Sequence, residues 1–301
     1  MNNPLVTVII TTIGSEFVSR AVASAINQSY GNLQILICYD GDNFESFYKF
    51  IDNSFDNIEV LNVGPFNNAN NARQKGIESA KGDFIALLDD DDYWAVDHLK
   101  NLVHQANNIG KPVLLISKSV IMKSDKVKEI LPERFYDYKN ESIPEYLFCF
   151  KKNKRTMMQT SSFFFSSSLG IAIPFDIKLK QHQDYDWVIR VYESGIAKIE
   201  QINMGTSFYV LDANSSSISK ISKVDMSLSW AERVLTKYGK DVIFNFIMNN
   251  TVHFCVRNKE NFIFLMKFSF NNLNLSFFQL LKLYLKWKVL NIKFLIKKFI
   301  F

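Results

Sequence analysis

Asp89, Asp90, Asp91 and Asp92 stand side by side between an apolar run, residues 84–88, and the aromatic pair Tyr93 and Trp94. Carboxylates this close raise one another's pKa unless a cation or hydrogen-bond donors hold them. Oxygen-only ligands suit hard divalent ions, Mg²⁺ or Mn²⁺, and such ions in turn bind diphosphates. The chemistry on offer is metal-assisted handling of a nucleotide at the end of a strand. The rival reading is a solvated acidic turn. A buried-type strand in front of the run and two aromatic residues behind it favour a site.

The elements that must position these groups are legible as alternating periodicities. Residues 6–10 and 33–38 are apolar and rich in β-branched side chains, the pattern of buried strands, and 58–63 and 84–88 repeat it. Between them, Val18, Ala21, Val22, Ala25 and Ile26 fall at helical spacing, 45–51 reads as a short helix, and 71–80 reads as a helix stopped by Gly82. Strands separated by helices predict a parallel sheet with right-handed crossovers, and ligands in such sheets bind beyond the carboxyl ends of the strands. Three polar clusters lie at those ends: Thr11 with Thr12, Asp40-Gly41-Asp42, and the acidic run. They are distant in sequence and are expected to converge. A further helix is expected over 97–108 and a strand over 113–122. Residues 123–154 read as irregular and 160–168 as β-rich. A helix opens at His182-Gln183-Asp184-Tyr185-Asp186-Trp187 and runs to Gly195.

The 301 residues, 48% hydrophobic and 22% charged, are enough for a globular protein with a sizeable core. Cys38, Cys149 and Cys255 are scattered, form no CxxC pair and fit core positions in a reducing compartment. The N-terminus lacks the pattern of a signal peptide, and no uninterrupted apolar segment predicts a transmembrane helix. The net charge of +5 is concentrated at the C-terminus. There Ser276 and Gln279 form a capping-box pattern, and Lys282, Lys286, Lys293 and Lys297 line one stripe of a helix otherwise filled with Leu, Phe, Ile and Trp. Such a helix reads as lying in a membrane interface, with packing on the rest of the protein or another subunit as the alternative. The basic residues cluster with Phe and Leu and form no polar groove, which argues against nucleic acid.

Taken in order, residues 6–12, 35–38 with Asp40 and Gly41, Asn71-Ala72-Arg73-Gln74-Lys75-Gly76, 80–85 and 88–94 resemble family-2 glycosyltransferases of the GT-A fold. The run from His182 to Trp187 with Arg190 resembles that family's acceptor-side acidic motif. The likeness covers roughly residues 4 to 220. It implies an α/β fold with a Rossmann-like, mixed and mostly parallel sheet flanked by helices. A glycosyltransferase domain is then expected over 1–220, its 1–95 half on the nucleotide sugar and its 96–220 half on the acceptor. A helical, basic amphipathic, membrane-associating region follows over 221–301.

The resemblance also implies roles. Thr11 and Thr12 lie beside the nucleobase, Asp40 or Asp42 meets the uracil or ribose, and Arg73 contacts the nucleotide. Asp89 sits near the ribose, Asp91 is the metal ligand and Asp92 its acidic neighbour. Asp90 is grouped with the nucleotide-binding residues but expected to be solvated. Asp184 is the catalytic base, with Asp186 as its rival. His182, Asp186 and Trp187 are placed on the acceptor side; Trp187 and Tyr185 suit either a sugar-stacking surface or the core. Asp184 also suits an N-cap. Two departures stand out: Tyr39 occupies the place of a usual acid, and Gln183 that of a usual glutamate. The later loop, 209–219, has no histidine to serve as a second metal ligand.

The expected activity is transfer of a hexose with inversion from a UDP-sugar, UDP-glucose or UDP-galactose, to a lipid-linked sugar such as GlcNAc-diphospho-undecaprenol. Mn²⁺ or Mg²⁺ is the expected cofactor, the linkage β, and the place the cytoplasmic face of a bacterial membrane, in surface polysaccharide (O-antigen) synthesis. The alternatives are another nucleotide sugar on a lipooligosaccharide core, a non-catalytic nucleotide-sugar-binding protein, and a sugar-nucleotide-synthesising transferase. The last calls for a glycine-rich phosphate loop with a lysine, which residues 11–15 do not supply.

Overall fold

The computed structural model describes residues 3–55, 58–110, 112–211 and 223–300, with residues 53, 295 and 297–300 described by backbone alone. The chain divides into two compact units: Met1–Tyr138 with Lys154–Ser215, and Lys139–Asn153 with Ser216–Phe301.

The first unit is built on β1 (Val6–Thr12), α1 (Val18–Ile26), β2 (Leu33–Tyr39), α2 (Phe44–Ser54), β3 (Glu59–Asn62), α3 (Ala69–Ser79), β4 (Phe84–Asp89), β5 (Tyr93–Trp94), α4 (His98–Ile109), β6 (Val113–Lys123) and β7 (Lys126–Leu131). After α5 (Ile143–Phe148), which belongs to the second unit, it resumes with β8 (Phe163–Ser166), α6 (Ser167–Ala172), α7 (Gln183–Ser194) and β9 (Lys198–Val210). Among the described residues these strands form one sheet in the order β3-β2-β1-β4-β8-β6-β9-β5, with β7 on β6. The long ladders β1–β2, β1–β4 and β6–β9 are parallel, and the short β8 runs antiparallel between β4 and β6. The sheet is thus the mixed, mostly parallel one expected, with helices flanking it.

Every residue of β1 is buried, because helices cover both faces of a central parallel strand. α1 presents Val18, Ala21, Val22 and Ala25 to that sheet. Side-chain caps fix where the helices begin: Asn43 accepts from the Ser46 amide at 3.2 Å to open α2, and Asn68 from the Asn70 and Asn71 amides at 2.9 and 3.1 Å to open α3. α7 ends at Gly195, whose φ of 65° is the left-handed conformation that closes a helix without a Cβ penalty.

The second unit holds α5, α8 (Val224–Leu235), α9 (Lys240–Phe246), α10 (Val252–Arg257), α11 (Phe262–Asn271) and α12 (Phe277–Ile300). Phe148 of α5 meets Phe246 edge-on at 5.0 Å, and Leu228, Leu265 and Leu283 are fully buried. The capping box expected at Ser276 and Gln279 forms: the Ser276 amide donates to Gln279 Oε1 at 2.9 Å and the Gln279 amide to Ser276 Oγ at 3.3 Å.

Candidate active site

The β1–β4 ladder pairs Thr11 with Asp89, and the β1–β2 ladder pairs Thr12 with Tyr39, so all three polar clusters meet at one sheet edge. The Thr11 hydroxyl points at Asp89 Oδ1, 3.5 Å away, and the Thr12 hydroxyl donates to Asp90 Oδ2. The two threonines are nearly buried and act as a shelf for the acidic turn. Asp90 is therefore neither solvated nor turned away; burial pushes its carboxyl above the usual range despite that hydrogen bond.

Arg73 joins this edge to α7. It is buried on α3; Nη2 donates to Asp89 Oδ1 at 2.6 Å, and Nη1 to Gln183 Oε1 at 3.0 Å and Asn70 Oδ1 at 3.3 Å. It was expected on the nucleotide, but its guanidinium is turned into the protein and braces three elements. Asp184 follows Gln183 in the first turn of α7. Burial raises its carboxyl to about 6, against the Tyr185 amide at 2.9 Å and the Arg73 charge, which lower it. A carboxylate of that pKa is ionised at neutral pH and more basic than an exposed aspartate, the property a general base needs. His182 caps α7 in the left-handed conformation (φ 60°), its ring parallel to that of Tyr185 at 6.1 Å; burial lowers its pKa to about 3, so the imidazole is neutral.

Asp92, expected among the metal ligands, is instead turned into the protein. It is fully buried, accepting from Ser161 Oγ at 2.6 Å and from the Val210 amide at 3.0 Å. Asp40 is a latch: its two oxygens accept the Asn67 and Asn68 amides at 2.9 and 2.8 Å, which fixes the loop before α3. Asp42, by contrast, is exposed and lines a cavity of about 490 Å³ with Ile13, Gly14, Ser15, Tyr39 and Asn43. Tyr39, in place of the expected acid, packs flat on Phe47 at 4.3 Å. A Cβ on Gly41 would come within 2.7 Å of the Ile13 carbonyl oxygen, so the tight turn beside Tyr39 demands glycine. Asp186, expected on the acceptor side and as the rival base, is buried and ion-paired with Arg190 Nε at 2.8 Å. Trp187 is a core residue: it is fully buried, stacks on Phe175 at 4.8 Å, and donates Nε1–H to the Ile173 carbonyl at 2.7 Å.

Four further residues complete the site. Arg20 of α1 donates Nη2–H to the Asp91 carbonyl at 2.6 Å and lies 5.0 Å from the Tyr93 ring centre. Ser161 is fully buried between the Asp89 amide at 3.1 Å and Asp92. Gln183 is the acceptor for Arg73. Tyr209 on β9 is close enough to Asp89, Asp91, Asp92 and Asp184 for their charges, after burial itself, to push its phenol up. A strand predicted over 198–210 would have exposed Tyr209, but the polar sequence there hid that strand.

Asp91 is half-buried, and burial followed by the charges of Asp89 and Asp90 raises its carboxyl to about 7. Among the described residues no group of three or more His, Cys, Asp or Glu side chains forms a metal cage. The donor set instead fits the Mg²⁺-like manner of binding, one or two carboxylates completed by substrate phosphates. The histidine-free loop 209–219 lies largely outside the described residues, beyond Leu211.

The site thus joins an acidic turn at the carboxyl edge of an α/β sheet, through Arg73, to Gln183 in the first turn of α7, next to the half-buried Asp184. The chain belongs to glycosyl transferase family 2, whose sequence profile matches residues 7–169. It is 31% identical over 178 residues to the amylovoran biosynthesis glycosyltransferase AmsB of Erwinia amylovora, covering 58% of this chain and 56% of that protein. It is also 31% identical over 113 residues to the UDP-Glc:alpha-D-GlcNAc-diphosphoundecaprenol beta-1,3-glucosyltransferase WfgD of Escherichia coli, covering 36% of this chain and 45% of that one. The chain thus spans about half the length of these two relatives. Among solved structures, S. aureus TarS 1-349 in complex with UDP-GlcNAc shares the fold, with a TM-score of 0.60 at 14% identity over 93% of this chain and 79% of that one.

Proposed function

We propose that this protein is a metal-dependent, inverting glycosyltransferase. It moves a hexose from a UDP-sugar, UDP-glucose or UDP-galactose, onto a lipid-linked saccharide, forming a β linkage in bacterial surface polysaccharide synthesis. The observation that carries this reading is the Arg73 bridge, which holds the acidic turn and the base-bearing end of α7 in one hydrogen-bonded block. The lipid-linked acceptor, of the GlcNAc-diphospho-undecaprenol type, is carried over from what the Escherichia coli relative is named for.

Asp91, with Asp89 beside it, would hold Mn²⁺ or Mg²⁺, which when bound offsets the negative charge growing on the departing diphosphate. Asp42 and the cavity it lines receive the base and ribose, while Asp40 fixes the loop before α3. Asp184 accepts the proton of the attacking acceptor hydroxyl. One base and no covalent intermediate make the displacement in-line, so the anomeric configuration inverts. His182, at the mouth of α7, contacts the acceptor. α12 holds the enzyme to the cytoplasmic face of the membrane, where such acceptors reside; among the described residues no helix is long and apolar enough to cross it.

Incubation with UDP-glucose or UDP-galactose, Mn²⁺ and a synthetic GlcNAc-diphosphate lipid should release UDP and give a β-linked product by NMR. An α-linked product overturns the inverting mechanism, and no UDP release from any sugar nucleotide overturns the catalytic reading.

A further inference from the structure

α12 is apolar on two opposite sides. One side packs within its own unit: Leu283 is fully buried, and Trp287 stacks on Phe262 of α11 at 4.4 Å. The other side is open. Leu281, Leu285, Val289, Ile292 and Ile296 follow one another at spacings of four and three, and each is 42–56% exposed. The stripe begins at Phe277 and Phe278, both 73% exposed, and so extends along ~28 Å of helix. Lys282 and Lys293 flank it, exposed, with Lys286 half-buried beside them.

The neighbouring helix carries the same character. Phe270, near the end of α11, is 59% exposed. Phe270, Phe277 and Phe278 therefore stand at the two ends of the connector that links α11 to α12. The connector's own apolar residues, Leu273 and Leu275, are buried, so these three phenylalanines are left outward while their neighbours are packed away. An exposed apolar surface of this extent marks an interaction site.

Charge identifies what covers it. The last 41 residues hold seven lysines and no arginine, aspartate or glutamate, a formal +7 against +5 for the whole chain, so the first 260 residues sum to −2. The basic excess of the protein thus lies wholly in the segment of sequence that carries the exposed apolar stripe. A negatively charged bilayer surface matches both properties at once, because headgroups meet the lysines while the acyl boundary receives the side chains between them.

We infer that the α11–α12 elbow is the membrane-binding surface of this protein, with Phe270, Phe277 and Phe278 as the inserted wedge and α12 lying along an anionic bilayer. This rests on the membrane reading given above and adds which residues enter the lipid and which lipid they require. The packed side of α12 stays on its own unit, so binding needs no unfolding of the helical region.

The test is co-sedimentation of the full chain with phosphatidylcholine vesicles and with mixed phosphatidylcholine–phosphatidylglycerol vesicles. The triple variant Phe270→Ser/Phe277→Ser/Phe278→Ser should lower partition into mixed vesicles by about tenfold or more. Lys282→Gln/Lys286→Gln/Lys293→Gln should abolish the preference for the anionic vesicles, and added salt should reproduce that loss. Unchanged circular dichroism and UDP binding in both variants exclude misfolding. Wild-type binding with no effect of the phenylalanine variant overturns the elbow and leaves the membrane reading standing. No wild-type binding to either vesicle overturns both. A wild-type dimer in sedimentation velocity that the phenylalanine variant dissociates, without vesicle binding, assigns the surface to a second copy and overturns the lipid assignment.

Discussion

Asp92 separates a ligand from a brace in one experiment. Its carboxylate is fully buried and receives Ser161 Oγ–H at 2.6 Å and the Val210 N–H at 3.0 Å. Asp92→Ala leaves both donors buried and unpaired, at a cost of about 1–3 kcal/mol each. Part of that cost is offset. Burial, with Asp91 and Asp89 nearby, already holds the Asp92 carboxyl well above its usual range, and the substitution removes that strain. The net loss should be about 2–3 kcal/mol. For a protein of this size that lowers Tm by roughly 3–5 °C. Thermal unfolding and calorimetric titration of Mn²⁺ in the presence of UDP read the two consequences separately. The expected result is a lower Tm with metal affinity kept within a few-fold. Asp91→Asn should do the reverse, losing the metal without lowering Tm. If Asp92→Ala keeps its Tm and loses the metal, the brace assignment is wrong and Asp92 belongs among the ligands.

Other outcomes follow from the same geometry. Asp184→Asn should slow transfer by about 10²–10⁴-fold while UDP binding, read by calorimetry, is kept; full activity removes Asp184 as the base. With its carboxyl raised to about 6, Asp184 is protonated, and inactive as a base, below that pH. The rate should therefore climb about tenfold per pH unit up to pH 6 and level off above it. Arg73→Gln removes a charge that lowers the Asp184 pKa, so the rising limb of the pH–rate profile should move to higher pH. The same variant should lose about 1–3 kcal/mol, since Asp89, 28% exposed, keeps some access to water. Trp187→Ala opens a cavity among Phe163, Phe165 and Phe175 and should cost about 3–5 kcal/mol, whereas Trp187→Phe should leave the KM for acceptor unchanged; a large rise in that KM would return Trp187 to the acceptor site.

Periodicity is strong and charge is clustered in the first ninety residues. β1, β2, β4, α1 and α3 were legible from the alternation of buried apolar runs and helical stripes, and the convergence of three polar strand ends followed from the topology alone. What periodicity does not encode is which carboxylate turns inward. Asp89, Asp90, Asp91 and Asp92 are identical in sequence, and their separation depends on donors from Thr12, Arg73, Ser161 and Val210, three of them more than fifty residues away. Trp187 and Asp186 were ambiguous for a related reason: a stacking surface and a core residue share one composition. β9 is not legible in the sequence because it is largely polar, with Gly205 near its middle. α5 was missed although Ser142 and Glu145 form a capping box, because six residues are too few to show a period.

The Arg73 contact also constrains how such enzymes can diversify. The acidic turn and α7 share one buried cation, Arg73, so neither is a free module. A chimera that imports an α7 with glutamate at position 183 would set a second carboxylate against Arg73 and redistribute the charge felt by Asp89 and Asp184. Exchange of acceptor specificity within this scaffold is therefore expected to succeed where the residue facing Arg73 travels with the graft, and to disturb sugar-nucleotide binding where it does not.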